Sequence, residues 1–207
     1  MKKNTHLAVG VAVSTMVLMP KELQSMAMCI CGSAIGSVIS DVDVASSRPR
    51  KTLNKLVSFS IAVIAILVML EQAFKIPIYH IIESQTNIYR IILGYVTFLL
   101  LSIYGTMTKH RTYTHSIIGL ISFTGVAWVV LPSLAIPFCI GMISHILLDT
   151  LNNKKIHLLY PSKKGGIAFK LCSADGKANS IICIIGTLIV VCELVIFVFF
   201  KAQSVAY

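Results

Sequence analysis

The sequence predicts an all-α, polytopic membrane protein, and three observations predict it. Composition comes first: of 207 residues, 56% are hydrophobic and 13% charged, with a mean hydropathy of +0.84. A soluble domain of this size has no interior large enough to hide that much apolar side chain. The second observation is that the apolar residues fall into runs of near-membrane length, over 7–19, 23–39, 56–70, 88–107, 116–131, 134–151 and 181–200. Several are short against the ~20 residues that a bilayer requires, so the expectation is seven helices, or six if the first two runs form an interfacial or re-entrant pair.

The third observation is where the charges fall. The net charge is +10, yet fourteen of the eighteen Lys and Arg follow alternate segments: Lys2 and Lys3, then Arg48 to Lys55, then Lys109 and Arg111, then Lys154 to Lys177. Only Lys21, Lys75, Arg90 and Lys201 remain for the opposite side. With seven spans this is the positive-inside pattern, and it predicts an inner-membrane, multi-pass chain with a cytoplasmic N-terminus. Basic loops beside a membrane attract anionic lipid headgroups, which accounts for the charge without a specific nucleic-acid partner.

In chain order, Asn4 or Thr5 is the expected cap of a first helix that carries His6 in its first turn. Lys21-Glu22 follow this run with no small-residue cleavage site, so it is expected to stay in the mature chain. The second segment contains Gly32-x-x-x-Gly36, a spacing that lets helix backbones approach closely, and it ends in Ser40-Asp41-Val42-Asp43. If extended there, Asp41 and Asp43 point to opposite sides. Pro49 disfavours helix at Arg48 and begins a cytoplasmic loop over about 40–55.

Segment three is scaffold. Residues 71–89 form an outer connection in which His80 and Glu83 are exposed. A second cytoplasmic loop, 108–115, carries His110, Arg111 and His115, with Thr114 as the expected cap of the next helix. Segment six follows a tight turn between Pro132 and Pro137. A third loop, 152–179, is basic and too short for a separate domain, so the chain is one membrane-embedded unit. Glu193 in segment seven needs a polar partner. The six cysteines sit mostly in apolar segments without a metal or redox spacing and are expected to pack between helices.

The chemistry is carried by Ser144-His145-Ile146-Leu147-Leu148-Asp149. His145 and Asp149 are four residues apart in an apolar helical run, so they project from one face, one turn from each other. Burying both without a partner costs several kcal/mol, and ionisable residues in a span are functional candidates by default. On the topology set by the basic residues, His6, Asp41, Asp43, His110, His115, His145 and Asp149 all fall at the cytoplasmic face. Imidazoles and carboxylates in that number suit zinc, manganese or iron, with donors enough for two ions. Arg111 either clamps a phosphate with its planar fork or anchors to lipid headgroups. His110 is a ligand, a proton donor or an ordinary loop residue.

Taken together, His6, Gly36-x4-Asp41-x-Asp43, His110-Arg111-x-x-Thr114-His115-Ser116 and Ser144-His145-x-x-Leu148-Asp149 resemble the bacterial inner-membrane proteins described as LexA-regulated, membrane-bound, metal-dependent hydrolases. The chain departs from that pattern at Ser40, Val44 and Asn153-Lys154. The resemblance implies a helical membrane hydrolase of the SOS response with a divalent metal, most simply zinc. The His-x3-Asp element is more distantly similar to the zinc phospholipase C and P1 nuclease group. The expected activity is that of a phosphoesterase, acting through a metal-activated water on a lipid or lipid-linked substrate. Catalytic roles fall to His110 and Arg111. A transporter or metal sensor without hydrolysis is the alternative, and polar helix clamping is a third.

Overall fold

A computed structural model of the chain describes residues 1–45, 47, 49–59, 69, 86–162, 165–173 and 176–206. Among the described residues six long helices carry the fold: α1 (Lys3–Leu18), α2 (Leu23–Ile39), α3 (Thr86–Met107), α4 (Ile117–Val130), α5 (Pro132–Thr150) and α6 (Lys177–Ala206). Residues 49–59 are also helical. Two 3-10 turns, Ser40–Asp43 and Tyr113–His115, join α2 and α4 to their preceding or following loops. Among the described residues there is no strand, only isolated bridges between Asn152 and Cys172 and between Ile156 and Ile167. Most of segment three, and the connection holding His80 and Glu83, lie outside the described residues.

Among the described residues, four helical stretches are long and apolar enough to cross a membrane: Leu23–Asp43, Ile88–Met107, Pro132–Thr150 and Lys177–Phe200. The runs expected at 7–19 and 116–131 form helices of 16 and 14 residues. At ~1.5 Å per residue these reach roughly 24 and 21 Å, short of a ~30 Å hydrocarbon core.

The packing is organised around α5, which contacts α1, α2 and α4, with its most extensive contact on α2. Small residues set that contact. A methyl group added at Gly36 would run into the Phe138 carbonyl, and one at Gly141 into the Ser33 carbonyl, so both positions need hydrogen where any other residue has Cβ. The Gly32-x-x-x-Gly36 element thus does what its spacing predicts, bringing two backbones into contact. Outside this core, α6 packs on α1 and α3 on α4, while Leu188, Val195 and Phe199 of α6 and Ile91 and Leu100 of α3 are exposed as a lipid-facing surface would be.

Several local expectations give way to other solutions. Lys2, not Asn4 or Thr5, precedes the first helical residue, and the Thr5 hydroxyl instead bonds Asn179 Oδ1 on α6 at 3.0 Å. Ser116 caps α4 by accepting from the Gly119 N–H at 3.1 Å, which displaces Thr114 from that role. The supposed turn from Pro132 to Pro137 is helix: Pro132 occupies the start of α5, where its missing N–H costs nothing, and Pro137 lies inside. Likewise the expected 40–55 loop is largely helical, because Pro49 opens the helical stretch that follows.

The six cysteines are unpaired, and buried Cys29 meets Ser14 Oγ at 3.2 Å. Glu193 finds its partner in the Thr15 hydroxyl of α1.

If the α2–α5 contact depends on backbone approach, Gly36→Leu should destabilise the protein by ~1–3 kcal/mol, the usual range for overpacking. Thermal unfolding in detergent checks this against Gly125→Ala, where nothing lies within 4 Å of an added methyl and no loss is expected.

Candidate metal centre

One end of the bundle gathers the starts of α1, α4 and α6 and the finishes of α2, α3 and α5. Its polar side chains converge because each helix has its chemistry in its last or first turn. Asp149, 2% exposed near the end of α5, is the meeting point. Its Oδ1 accepts from the Met1 ammonium at 2.9 Å and lies 3.3 Å from His6 Nε2. Its Oδ2 is 2.8 Å from the Arg111 guanidinium and 3.6 Å from His115 Nε2.

One turn earlier on α5, His145 is fully buried. Its Nδ1 lies 2.6 Å from the Ser37 carbonyl, which can only accept, so Nδ1 carries the proton and Nε2 presents a lone pair. His6 stacks on His145 with ring centroids 3.9 Å apart, and its own Nδ1 is buried without a partner among the described residues.

His115 is fixed by a different route. The Thr114 hydroxyl donates to Asp43 Oδ2 at 2.7 Å, which commits its one proton. The 3.0 Å contact between Thr114 Oγ1 and His115 Nδ1 therefore has the ring nitrogen donating, and in the neutral ring His115 Nε2 is the acceptor. The Nε2 atoms of His115 and His145 face each other 3.3 Å apart. Asp41 Oδ1 lies 3.7 Å from the same His145 Nε2.

Acceptors pointed at one another repel unless a cation or a proton stands between them. Two nitrogens each ~2.0–2.1 Å from a tetrahedral zinc would be separated by about 3.3–3.4 Å. The donor set therefore fits a divalent metal.

Five of the seven expected ligands are brought together: His6, Asp41, His115, His145 and Asp149. They form two overlapping groups, His6 with His145 and Asp149, and Asp41 with His115 and His145, each with donor atoms within 4.8 Å of one another. Asp43 and His110 stand one layer out. Asp43 Oδ1 is 2.8 Å from His110 Nδ1, while Oδ2 accepts from the Arg111 N–H at 3.1 Å and from Thr114. The 3-10 turn at Ser40–Asp43, rather than an extended strand, separates the two aspartates.

Arg111 is 6% exposed, too buried for a headgroup anchor, and donates to the Lys154 carbonyl at 2.7 Å as well as to Asp149. Its φ of 66° is unusual outside glycine, and local backbone strain of this kind clusters at functional sites. Beside it, burial pushes the Tyr113 hydroxyl above its ordinary pKa, so Tyr113 stays neutral and packs as a ring against Tyr104. The Ser37 and Lys154 carbonyls and the roles of Thr114 and Met1 were not legible beforehand. Backbone acceptors leave no trace in residue type, and Thr114 gave only a capping signal.

These features define a class: a helical membrane protein whose helix ends close around a buried His/Asp cluster. Within that class, the chain belongs to the YdjM inner membrane protein family, whose model matches residues 1–206. No curated protein and no solved structure matches the chain.

Since Asp149 is buried among partners, Arg111→Met should cost about 3–5 kcal/mol by stranding part of its charge compensation. Arg111→Met/Asp149→Asn should lose less than the two single variants summed. A double-mutant cycle on thermal unfolding measures the difference, and additive losses would deny the coupling.

Proposed function

We propose that this protein is a membrane-bound, metal-dependent hydrolase, acting as a phosphoesterase on a lipid or lipid-linked substrate reached from the cytoplasmic leaflet. The observation that carries the reading is the facing pair of Nε2 atoms of His115 and His145, 3.3 Å apart and flanked by Asp41 and Asp149. His6, Asp41, His115, His145 and Asp149 would hold the metal, with zinc, manganese and iron all suited to this donor set. When bound, such an ion polarises a phosphoryl oxygen and activates water near neutral pH.

The remaining groups orient this set. Ser37 and Thr114 fix the tautomers of His145 and His115, as outer partners of metal-bound histidines do. Asp43 holds Thr114, His110 and the Arg111 backbone in one arrangement. His110, half-exposed and hydrogen-bonded to Asp43, is the group placed to deliver a proton to a leaving alkoxide. Arg111 has its terminal nitrogens engaged with Asp149 and Lys154, so its role is to position Asp149. With Nδ1 of His145 occupied, both donor groups compete for one Nε2, which favours a single ion over two.

The cytoplasmic assignment rests on Lys2, Lys3, Lys109, Lys154, Lys155 and Lys177, which lie at the cluster's end of the bundle.

One observation favours a second reading, a polar clamp without metal. Asp149 is already compensated by the Met1 ammonium and Arg111, which is what a purely structural cluster requires.

Metal content separates the two. Detergent-purified protein should carry about one zinc, manganese or iron per chain by elemental analysis. His145→Ala should lose it while remaining folded. Thr114→Val should retain the ligands but bind ~10–100-fold more weakly, the usual effect of removing an outer partner. A folded wild type that binds no metal after reconstitution sinks the hydrolase reading and leaves the clamp. With metal established, phosphorylated lipids are the substrates to screen, and His110→Ala should lower turnover without lowering metal content.

A further inference from the structure

A groove of about 560 Å³ runs between α2, α3, α4 and the helical stretch at 49–59. Its lining changes along its length. At one end stand Val42, Lys3 and Ser102; at the other are Ile91 and Leu131, with Phe98 between. Val42 lies between Asp41 and Asp43, so the polar end of the groove is one residue from both carboxylates of the α2 terminus.

From Ser102 to Ile91 is eleven residues along α3, on the order of 16 Å at helical rise. That is the depth of one leaflet, about half of a ~30 Å hydrocarbon core. Ile91 is exposed, so the groove's apolar end faces the bilayer.

Ser102 is the informative residue. It stands in the groove wall, is fully buried, and its Oγ has no hydrogen-bond partner among the described residues. A buried hydroxyl left unsatisfied is costly, so an acceptor in the groove, reached by a turn of the Ser102 side chain, is the economical solution. Ser102 lies about one and a half helical turns below the end of α3. An ester carbonyl sits at that depth in a glycerolipid, between headgroup and chain. Lys3, with the basic residues crowding this end, favours an anionic headgroup.

We propose that the groove holds one ester-linked acyl chain of an anionic glycerophospholipid, its carbonyl accepting from Ser102 Oγ and its phosphate beside Lys3. This rests on the hydrolase reading only for its meaning as a substrate site, and it names the substrate class. The phosphate end of such a lipid would lie next to the 3-10 turn that carries Asp41.

The test is native mass spectrometry of the delipidated full-length protein titrated with palmitoyl-oleoyl phosphatidylglycerol, with its ether-linked analogue and with a polyprenyl phosphate. Wild type should retain one phosphatidylglycerol at least tenfold more tightly than Ala127→Phe, which fills the groove. Ser102→Ala should weaken the ester lipid severalfold and leave the ether analogue unchanged.

A second measurement covers the case in which Ala127→Phe fails to fold. In a Trp128→Phe/Phe98→Trp protein the single tryptophan lines the groove. In vesicles containing phosphatidylglycerol brominated along one chain, its quenching should saturate at a low mole fraction of that lipid. Quenching that only tracks bulk composition, preference for the polyprenyl phosphate, or loss of lipid on dimerisation would overturn the proposal.

Metal content read on the same samples keeps the two readings apart. Lipid bound without metal defeats the hydrolase alone, whereas metal bound without lipid retention defeats this inference alone.

Discussion

The buried Asp149 carboxylate is the constraint on which the rest depends. A carboxylate at 2% exposure, in a helix otherwise built from Ile, Leu and Met, is tolerable only if nearly every lone pair is engaged. Its partners come from four places: the chain start, the first turn of α1, the loop after α3 and the turn before α4. Satisfying one side chain thus fixes how those segments meet. The cluster is at once the site and the clasp that sets helix register at this end of the bundle.

Such a clasp works only if the helices come close enough to reach it. Gly36 and Gly141 let α2 and α5 touch backbone to backbone, and this proximity brings the Ser37 carbonyl within 2.6 Å of His145 Nδ1. A larger residue at either glycine would push α2 away, and His145 would lose the partner that fixes its tautomer. Packing and electrostatics are therefore one mechanism here. The small-residue stripe positions a carbonyl, the carbonyl fixes a proton, and the proton's location aims a lone pair at the centre.

How much of this was legible in the sequence depends on which physical signal each feature leaves. The helices at 88–107, 134–151 and 181–200 were readable because lipid contact demands long apolar runs, which composition displays directly. His145 and Asp149 were readable because two ionisable residues one turn apart stand out against apolar neighbours. The gathering of His6, Asp41 and His115 beside them was readable only through topology, since the basic residues assign ends to helices that are remote in sequence. The layering within the cluster was not readable. Asp41 and Asp43 are the same residue type two positions apart, and only the 3-10 turn decides that one faces His145 while the other holds Thr114 and His110. The start of α4 misled for a related reason: Thr114 and Ser116 are both good caps, and Thr114 is drawn away by Asp43.

The one-sided placement of the cluster bears on which activity it can support. A transporter needs its site near the midplane and a polar path to both faces. In the opposite half of this bundle the Thr15–Glu193 pair stands beside Met16, Met19, Met26 and Phe200, around a cavity of about 680 Å³ on the far side of α1. Between that pair and the cluster the interior combines Val11, Ala12, Phe138 and Met142 with the buried hydroxyls of Ser14, Ser33, Ser37 and Ser144. The hydroxyls of Ser33, Ser37 and Ser144 bond backbone carbonyls of their own helices and Ser14 meets Cys29, so among the described residues no charged side chain stands there to replace an ion's hydration shell, a penalty of several kcal/mol or more. The same uncharged interior has a different consequence for a reaction at one end. It supports a low-dielectric floor beneath the imidazoles, strengthening every charge interaction there, while leaving His110 exposed to exchange protons with water. Under the proposed reading, a cluster with no charged path beneath it and lysines beside it suits chemistry on a headgroup better than passage through the bilayer.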